Sequence, residues 1–313
     1  VVVDDVEVAV ADVFEKLWGP VLSSPRLSAL DGDGRVTTTA VRELIPAALP
    51  DLFDGDQLVV LGQYRGADPL RLRVDGSWFG APRTFDFTFD VSAATTKNAF
   101  VPRLWASRRI AYLIDQIRQS GAEAPGQPRA TANVVLTDPR HRELVDEIVR
   151  LSTEFGVLSE YTAFLAREGT DLSAWTDLVA GCGVELDRRA VRDRSGNGAL
   201  NQAWNLDHQK KQTALNRDNG YFDASLERVA VSGVKQVSDR AYFRRDGQWI
   251  DSRLIAGRRE LTSDRTVTLG SAAYQELVDR LVAENRQALL ALPGPKLIDV
   301  DGVRVLVVDG DDC

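Results

Sequence analysis

The chain has no methionine, two cysteines (Cys182 and Cys313) and two histidines (His141 and His208) among 313 residues. Each scarcity removes a class of chemistry. A zinc centre needs about four ligands, mostly Cys, His and carboxylate, and these four residues stand at no metal-binding spacing. Two cysteines so far apart define no disulfide framework, so free thiols are expected. Without a methionine, and with no basic segment or small-residue cleavage site in residues 1–20, the chain is expected to be a fragment or processed product with no signal peptide in view. No run approaches the roughly 18 apolar residues of a membrane span. Basic charge is also short, with 38 Lys and Arg against 46 Asp and Glu, a net charge of −8 and a pI near 5.0. That balance opposes tracking of a phosphate backbone, and the Arg pairs at 108/109, 188/189 and 258/259 lie in unrelated patterns. No nucleic-acid partner is expected. Phosphate loops are absent too, since Gly196-Asn197-Gly198 has neither a strand before it nor Lys-Ser/Thr after it.

What remains is the balance of a globular protein, 44% hydrophobic and 27% charged, with length for about two domains. Residues 1–19 predict a helix: Asp4 and Asp5 precede Val6, Val10, Val13, Phe14 and Leu17, and Gly19-Pro20 ends the pattern. Residues 20–98 change to short β runs at 36–41, 57–64, 70–74 and 85–91, separated by Asp31-Gly32-Asp33-Gly34, Asp54-Gly55 and Asp75-Gly76. Such turns between alternating runs predict an antiparallel β-sandwich.

Residues 99–168 predict a helical pair. Pro102 fits a first helical turn, and Leu104, Ile110, Leu113, Ile114 and Ile117 follow at helical spacing. Gly121 and the stretch to Pro128 stop this helix, and a second stripe runs through Leu144, Ile148, Leu151 and Phe155 to a Gly156 cap. Trp105 and Tyr161 read as anchors whose polar atoms find buried partners. Residues 169–225 read as a flexible polar connector with one short helix near 199–215, because so few apolar positions bury little surface. Residues 226–313 predict a small α+β unit: a hairpin across Asp246-Gly247, a helix capped by Ser271, and two strands around Asp301-Gly302. The expected class is α+β: an antiparallel β-sandwich, a helical pair and a small C-terminal α+β unit.

The run Phe100-Val101-Pro102-Arg103-Leu104-Trp105-Ala106-Ser107-Arg108-Arg109, its continuation to Ile117, Glu143 to Ile148, and Phe155 to Leu165 resemble one known segment. It is the segment that follows the von Willebrand factor A domain in proteins resembling inter-alpha-trypsin inhibitor heavy chains. Leu49-Pro50-Asp51-Leu52-Phe53-Asp54-Gly55 resembles the Pro-Asp-Leu-Phe-x-Gly turn of that family. Arg240 to Phe243 and Trp249-Ile250-Asp251 resemble the C-terminal extension of its bacterial members. The resemblance implies that residues 1–19 end an A domain whose larger part lies upstream, with Pro20-Val21-Leu22 leading into the next strand. It implies a non-enzymatic adhesion-type platform, protein partners reached through that A domain, and an extracytoplasmic location. No catalytic, cofactor-binding or metal-binding residue is expected in this chain.

Several residues invite chemistry nonetheless. Asp31 to Val36 looks like the start of a calcium loop, but its sixth and twelfth positions are Val36 and Arg42 where Gly and Glu are needed, so a tight turn explains it. Asp90-Val91-Ser92-Ala93-Ala94 approaches the Asp-x-Ser-x-Ser of an ion-dependent adhesion site, yet Ala94 has no hydroxyl, and Phe85, Phe87 and Phe89 alternate with polar residues. Asp138-Pro139-Arg140-His141 resembles the Asp-Pro-His-Phe through which heavy chains are esterified to glycosaminoglycan. Arg140 intrudes there, so Asp138 reads as an N-cap before Pro139. Asp146 and Glu147 are adjacent on a helix, point apart and read as a solvated face. Cys182, between two glycines, with His208 downstream, would support the alternative of a hydrolase or transferase only in a pocket with converging groups of shifted pKa.

Overall fold

The structure is a computed structural model that describes residues 19–94, 98–120 and 134–310. The chain divides into two compact units, Val1–Thr96 and Lys97–Cys313, and its class is α+β. The helix expected over residues 1–19, the helix stop from Gly121 to Pro128, and Cys313 lie outside the described residues, apart from Gly19.

In the first unit the β runs form β1 (Leu22–Leu30), β2 (Val36–Thr37), β3 (Val41–Ile45), β4 (Leu61–Tyr64), β5 (Leu70–Trp78) and β6 (Ala81–Phe89). They pair as a four-stranded antiparallel sheet, order β2-β1-β5-β6, and a separate β3-β4 ladder. Pro25 has no N–H to give a ladder, and the β1–β5 register shifts between Ser23 and Arg26, around it. Asp75-Gly76, expected as a turn, lies inside β5, and the chain reverses at Phe79-Gly80 with φ of 47° and 85°. Gly76 is there for close approach, since a Cβ on it would sit 2.7 Å from Leu22 Cδ1. Asp31 does form the tight turn: its Oδ1 accepts from the N–H groups of Asp33 and Arg35, both at 2.9 Å. The Pro50–Gly55 segment turns as expected, with Phe53 N–H on Asp56 Oδ2 at 3.0 Å and Gly55 at φ 79°.

The second unit begins with α1 (Phe100–Ser120), α2 (Val134–Thr137) and α3 (Pro139–Phe155). Pro102 falls in the first turn of α1, Asp138 caps α3 by accepting from Arg140 N–H, and Gly156 closes α3 at φ 62°. The predicted stripes become the core: Ile110, Leu113, Ile114, Ile117, Ile148 and Leu151 are fully buried. Trp105 meets Phe155 edge to face at 6.3 Å.

Residues 169–225 contain α4 (Trp175–Glu185), a π-helical turn (Leu186–Arg192), α5 (Gly196–Lys211) and β7 (Tyr221–Phe222), which pairs with β8 (Arg228–Val229) just beyond them. Leu178, Cys182, Leu186 and Leu206 are buried, and so are Asp187, Asn201, Gln202 and Asn219. Hydrogen-bonded amides and charges fill the interior here, which the count of apolar residues could not register.

The chain continues as β9 (Val234–Val237), β10 (Arg240–Arg245), β11 (Gln248–Asp251), α6 (Ser252–Ala256), β12 (Arg265–Thr268), α7 (Ala272–Ala283), β13 (Lys296–Val300) and β14 (Val303–Val308). A six-stranded mixed sheet results, order β12-β14-β13-β11-β10-β9, with β12–β14 and β11–β13 parallel. Asp246-Gly247 and Asp301-Gly302 are left-handed pairs (φ 48° and 78°; 48° and 81°) that make the two expected hairpins. Ser271 Oγ accepts from Tyr274 N–H at 3.1 Å as the expected cap. The segments 99–168, 169–225 and 226–313 share this one unit and are tied by long-range bonds. Arg103 Nη2 donates to Arg240 O at 2.7 Å, Ser252 Oγ to Glu154 O at 2.9 Å, and Arg245 Nε to Thr170 O at 2.9 Å.

Candidate functional site

Gly156 ends α3 in a left-handed turn, and the following residues, Val157 to Thr162, pack against α1, α5 and the segment 212–222. Between them lies a cavity of about 270 Å³. Its framework is a set of side-chain amides closed onto backbone. Asn219 accepts Leu158 N–H at 2.8 Å and donates to Gly156 O at 3.0 Å. Asn205 bonds both backbone groups of Phe222 at 2.8 Å, and Asn216 bonds both of Gly220 at 2.7 and 2.9 Å. Arg108 donates twice to Gln212 O, at 3.0 and 2.8 Å, while Ser107 Oγ donates to Gln212 Oε1 at 2.7 Å. Such doubly bonded amides hold a wall rigid, because every buried polar group in them has its partner.

Glu160 lies in that wall with its side chain 2% exposed. Arg189, presented by the π-helical turn, donates to its carboxylate, and Asn201 Nδ2 adds a bond at 3.1 Å. Burial raises the Glu160 carboxyl above its ordinary value despite these donors. Next to it Tyr161 donates to Gln202 Oε1 at 3.0 Å, so this anchor has its buried partner, and burial pushes its hydroxyl well above the usual phenol value. Arg103 is 5% exposed, and its Nε is a buried donor with no partner; Gln236 Oε1 is a buried acceptor with none.

Of the residues that invited chemistry in the sequence, one lies in this cavity wall. His208 lines the cavity, whereas Cys182 is a free thiol, fully buried and outside the cavity's walls. Burial raises the Cys182 pKa far above that of an ordinary thiol, and a thiol held neutral is a poor nucleophile. Asp90 accepts Ser92 N–H at 2.9 Å and caps a 3-10 turn. His141 is buried at the start of α3, with Nε2 2.6 Å from Ser120 Oγ. Glu147 pairs with Arg150 at 2.7 Å. Asp146 is not simply a solvated group: it accepts Trp175 Nε1 at 2.8 Å and Arg258 Nη2 at 3.1 Å, with Arg258 4.5 Å above the Trp175 ring. Among the described residues, no three His, Cys, Asp or Glu side chains converge as a metal cluster, and no helix is long and apolar enough to cross a membrane.

Glu160, Arg103 and the amide wall were not singled out by sequence. A signal existed in Asn201, Asn205, Gln209, Gln212, Asn216 and Asn219, amides recurring every three or four residues. Asn201, Asn205 and Gln209 fall on one face of α5, and Gln212, Asn216 and Asn219 lie in the irregular segment that follows it.

Fold and site together describe a two-unit α+β protein whose second unit encloses a small, amide-walled cavity. Comparison with known protein families, curated proteins and solved structures finds no match to this chain.

Proposed function

We propose that this chain is a non-enzymatic interaction protein, the platform that follows a von Willebrand factor A domain in proteins resembling inter-alpha-trypsin inhibitor heavy chains. One observation carries the reading. Three of the segments that bear the resemblance, Phe100 to Ile117, Glu143 to Ile148 and Phe155 to Leu165, lie in the second unit, and most of their residues are buried. What they would share with the family is therefore a scaffold. Asp31, Asp90 and Asp138, the acids nearest to known chemical motifs, are spent on turns and caps. In this reading the protein partner binds the A domain, the platform positions that domain, and the site of action is extracytoplasmic. The test is capture of protein partners by this chain alone and by the chain joined to an A domain, each with magnesium and with chelator. Ion-dependent capture should require the A domain; ion-dependent capture by this chain alone contradicts the assignment.

The cavity favours a second reading, a hydrolase or transferase, because His208 and the raised Glu160 carboxyl share it. Against it, Glu160 is already held by Arg189 and Asn201. Turnover of an ester or glycoside panel that Glu160→Gln and His208→Ala both abolish, at unchanged melting temperature, would establish the enzyme.

A further inference from the structure

The four-stranded sheet of the first unit ends differently on its two sides. β2 closes one edge with two residues, whereas β6 runs for nine along the other, and among the described residues nothing pairs with its outer side. A long open edge is a template for another strand, and proteins blunt such edges with shortness, lysine, proline or a bulge. β6 has no lysine, and its nine pairs with β5 run without a shift. The two-residue turn at Phe79-Gly80 makes Trp78 and Ala81 a hydrogen-bonded pair. Alternation from there turns the backbone of Phe85, Phe87 and Phe89 toward β5 and that of Thr84, Asp86 and Thr88 toward the open edge. The side chains agree with this phase. Thr84 Oγ1 donates to Asp75 Oδ1 at 2.6 Å and Asp86 accepts Arg73 Nε at 2.7 Å, as in non-hydrogen-bonded pairs, where side chains stand closest. Pro82 belongs to the outward set, where its missing N–H costs the sheet nothing, and no second proline follows it in the strand.

Phe85, Phe87 and Phe89 share one face with Leu72 and Val74 of β5 and Ala29 of β1. This stripe is buried at Val74 and Ala29, yet Phe87 and Phe89 are 46% and 51% exposed. We propose that β6 pairs antiparallel with β6 of a second copy of this chain, about a two-fold axis at Phe87, joining the two stripes across one continuous sheet. That register sets Phe87 against Phe87 and Phe85 against Phe89 in the close, non-hydrogen-bonded pairs that favour aromatic contacts. It sets Asp86 against Thr88, which exchange their open backbone groups, and it opposes no like charges. An axis at Asp86 would bring two carboxylates face to face, and an axis at Phe85 would set Arg83 against Phe87. The strand's complementarity to itself selects a second copy over an unrelated strand. Four half-exposed rings contribute about 400 Å² of aromatic surface, a small interface that places the dimer in the micromolar range. The dimer goes beyond the platform role and does not depend on it.

Sedimentation velocity of the whole chain from about 1 to about 300 μM tests it, with a shift from monomer to dimer expected across that range. Thr88→Pro removes an outward N–H and Phe87→Lys opposes two cations, so each should raise the midpoint concentration about tenfold or more. A cross-link decides the matter if these variants do not fold. In a Cys313→Ser background, Phe87→Cys should give a disulfide dimer on oxidation with copper phenanthroline, because residues opposed in such a pair lie about 4.5 Å apart at Cα, within disulfide reach. Phe85→Cys should give none, and Cys182 is fully buried. A chain that stays monomeric at about 300 μM, a dimer unmoved by both variants, a disulfide dimer of Phe85→Cys, or none of Phe87→Cys overturns the proposal. None of these failures touches the capture result that tests the platform.

Discussion

At the scale of single residues, the second unit depends on positions with no tolerance. Gly156 combines a left-handed φ of 62° with a close approach: a Cβ there would lie 2.3 Å from Ala241 Cβ. Gly156→Ala should therefore add about 1–2 kcal/mol of backbone strain to about 1–3 kcal/mol of overpacking, measured as a lowered urea midpoint. An unchanged midpoint would mean that α3 does not seat on β10 as described. Glu160 makes a prediction of a different kind. Its carboxyl titrates above the ordinary glutamate value because it is buried, so the folded chain holds that proton more tightly than the unfolded one. The group's contribution to stability is therefore complete below about pH 4.3, the unfolded value, and is lost as pH rises through the raised folded value. Glu160→Gln keeps an acceptor for Asn201 and removes the titration. The stability of the wild type relative to this variant should fall as pH rises from about 4 through that window. A constant difference in urea denaturation across the range would place the Glu160 pKa at its unfolded value.

At the scale of elements, one buried carboxylate joins four of them. Asp251 ends β11, caps α6 by accepting Arg253 N–H at 3.0 Å, receives Arg240 Nη1 from β10 at 2.6 Å and accepts Asp299 N–H from β13 at 3.3 Å. It has no exposure, and Arg286 stands 3.8 Å away. Asp251→Ala takes the close carboxylate from the buried Arg240 guanidinium, whereas Arg286 keeps Glu284 at 2.7 Å, and a loss of about 3–5 kcal/mol is expected. Hydrogen exchange should rise together in β10, β11 and α6; a change confined to α6 would reduce Asp251 to a cap. The elements themselves were legible wherever one local rule decided them. Pro102, Asp138, Gly156, Ser271 and the Asp-Gly pairs at 246 and 301 each carry a backbone preference that is independent of the rest of the fold. Asp75-Gly76 misled because glycine serves close approach as well as turns, and only the position of Leu22 distinguishes the two. The stretch 169–225 misled for a deeper reason. Its interior is built from amides such as Asn201 and Asn219 and from ion pairs such as Glu160–Arg189, whose partners lie 20 to 80 residues away. Composition gives such residues to the surface, and the recurrence of amides from Asn201 to Asn219 is the one trace in the sequence of the cavity they enclose.

At the scale of the molecule, the Lys97–Cys313 unit holds within itself what a cooperative fold requires. The apolar interiors of α1 and α3 and of the six-stranded sheet lie inside it, with Ile110, Ile148, Tyr242, Leu281 and Ile298 at 1% exposure or less. The bonds that cross between its early and late segments, from Arg103 to Arg240, Glu154 to Ser252 and Gly156 to Asn219, also begin and end inside it. A unit closed in this way should fold when expressed alone. Residues 97–313 are predicted to unfold in one urea transition with a slope of about 2–3 kcal/mol per molar, and to keep the fluorescence of the buried Trp105 and Trp249. A platform that positions another domain needs this self-sufficiency, because a scaffold that acquires its shape only from its cargo cannot orient it. A broad, non-cooperative transition would mean that residues 1–96 supply part of the fold, and the positional role would then belong to the whole chain.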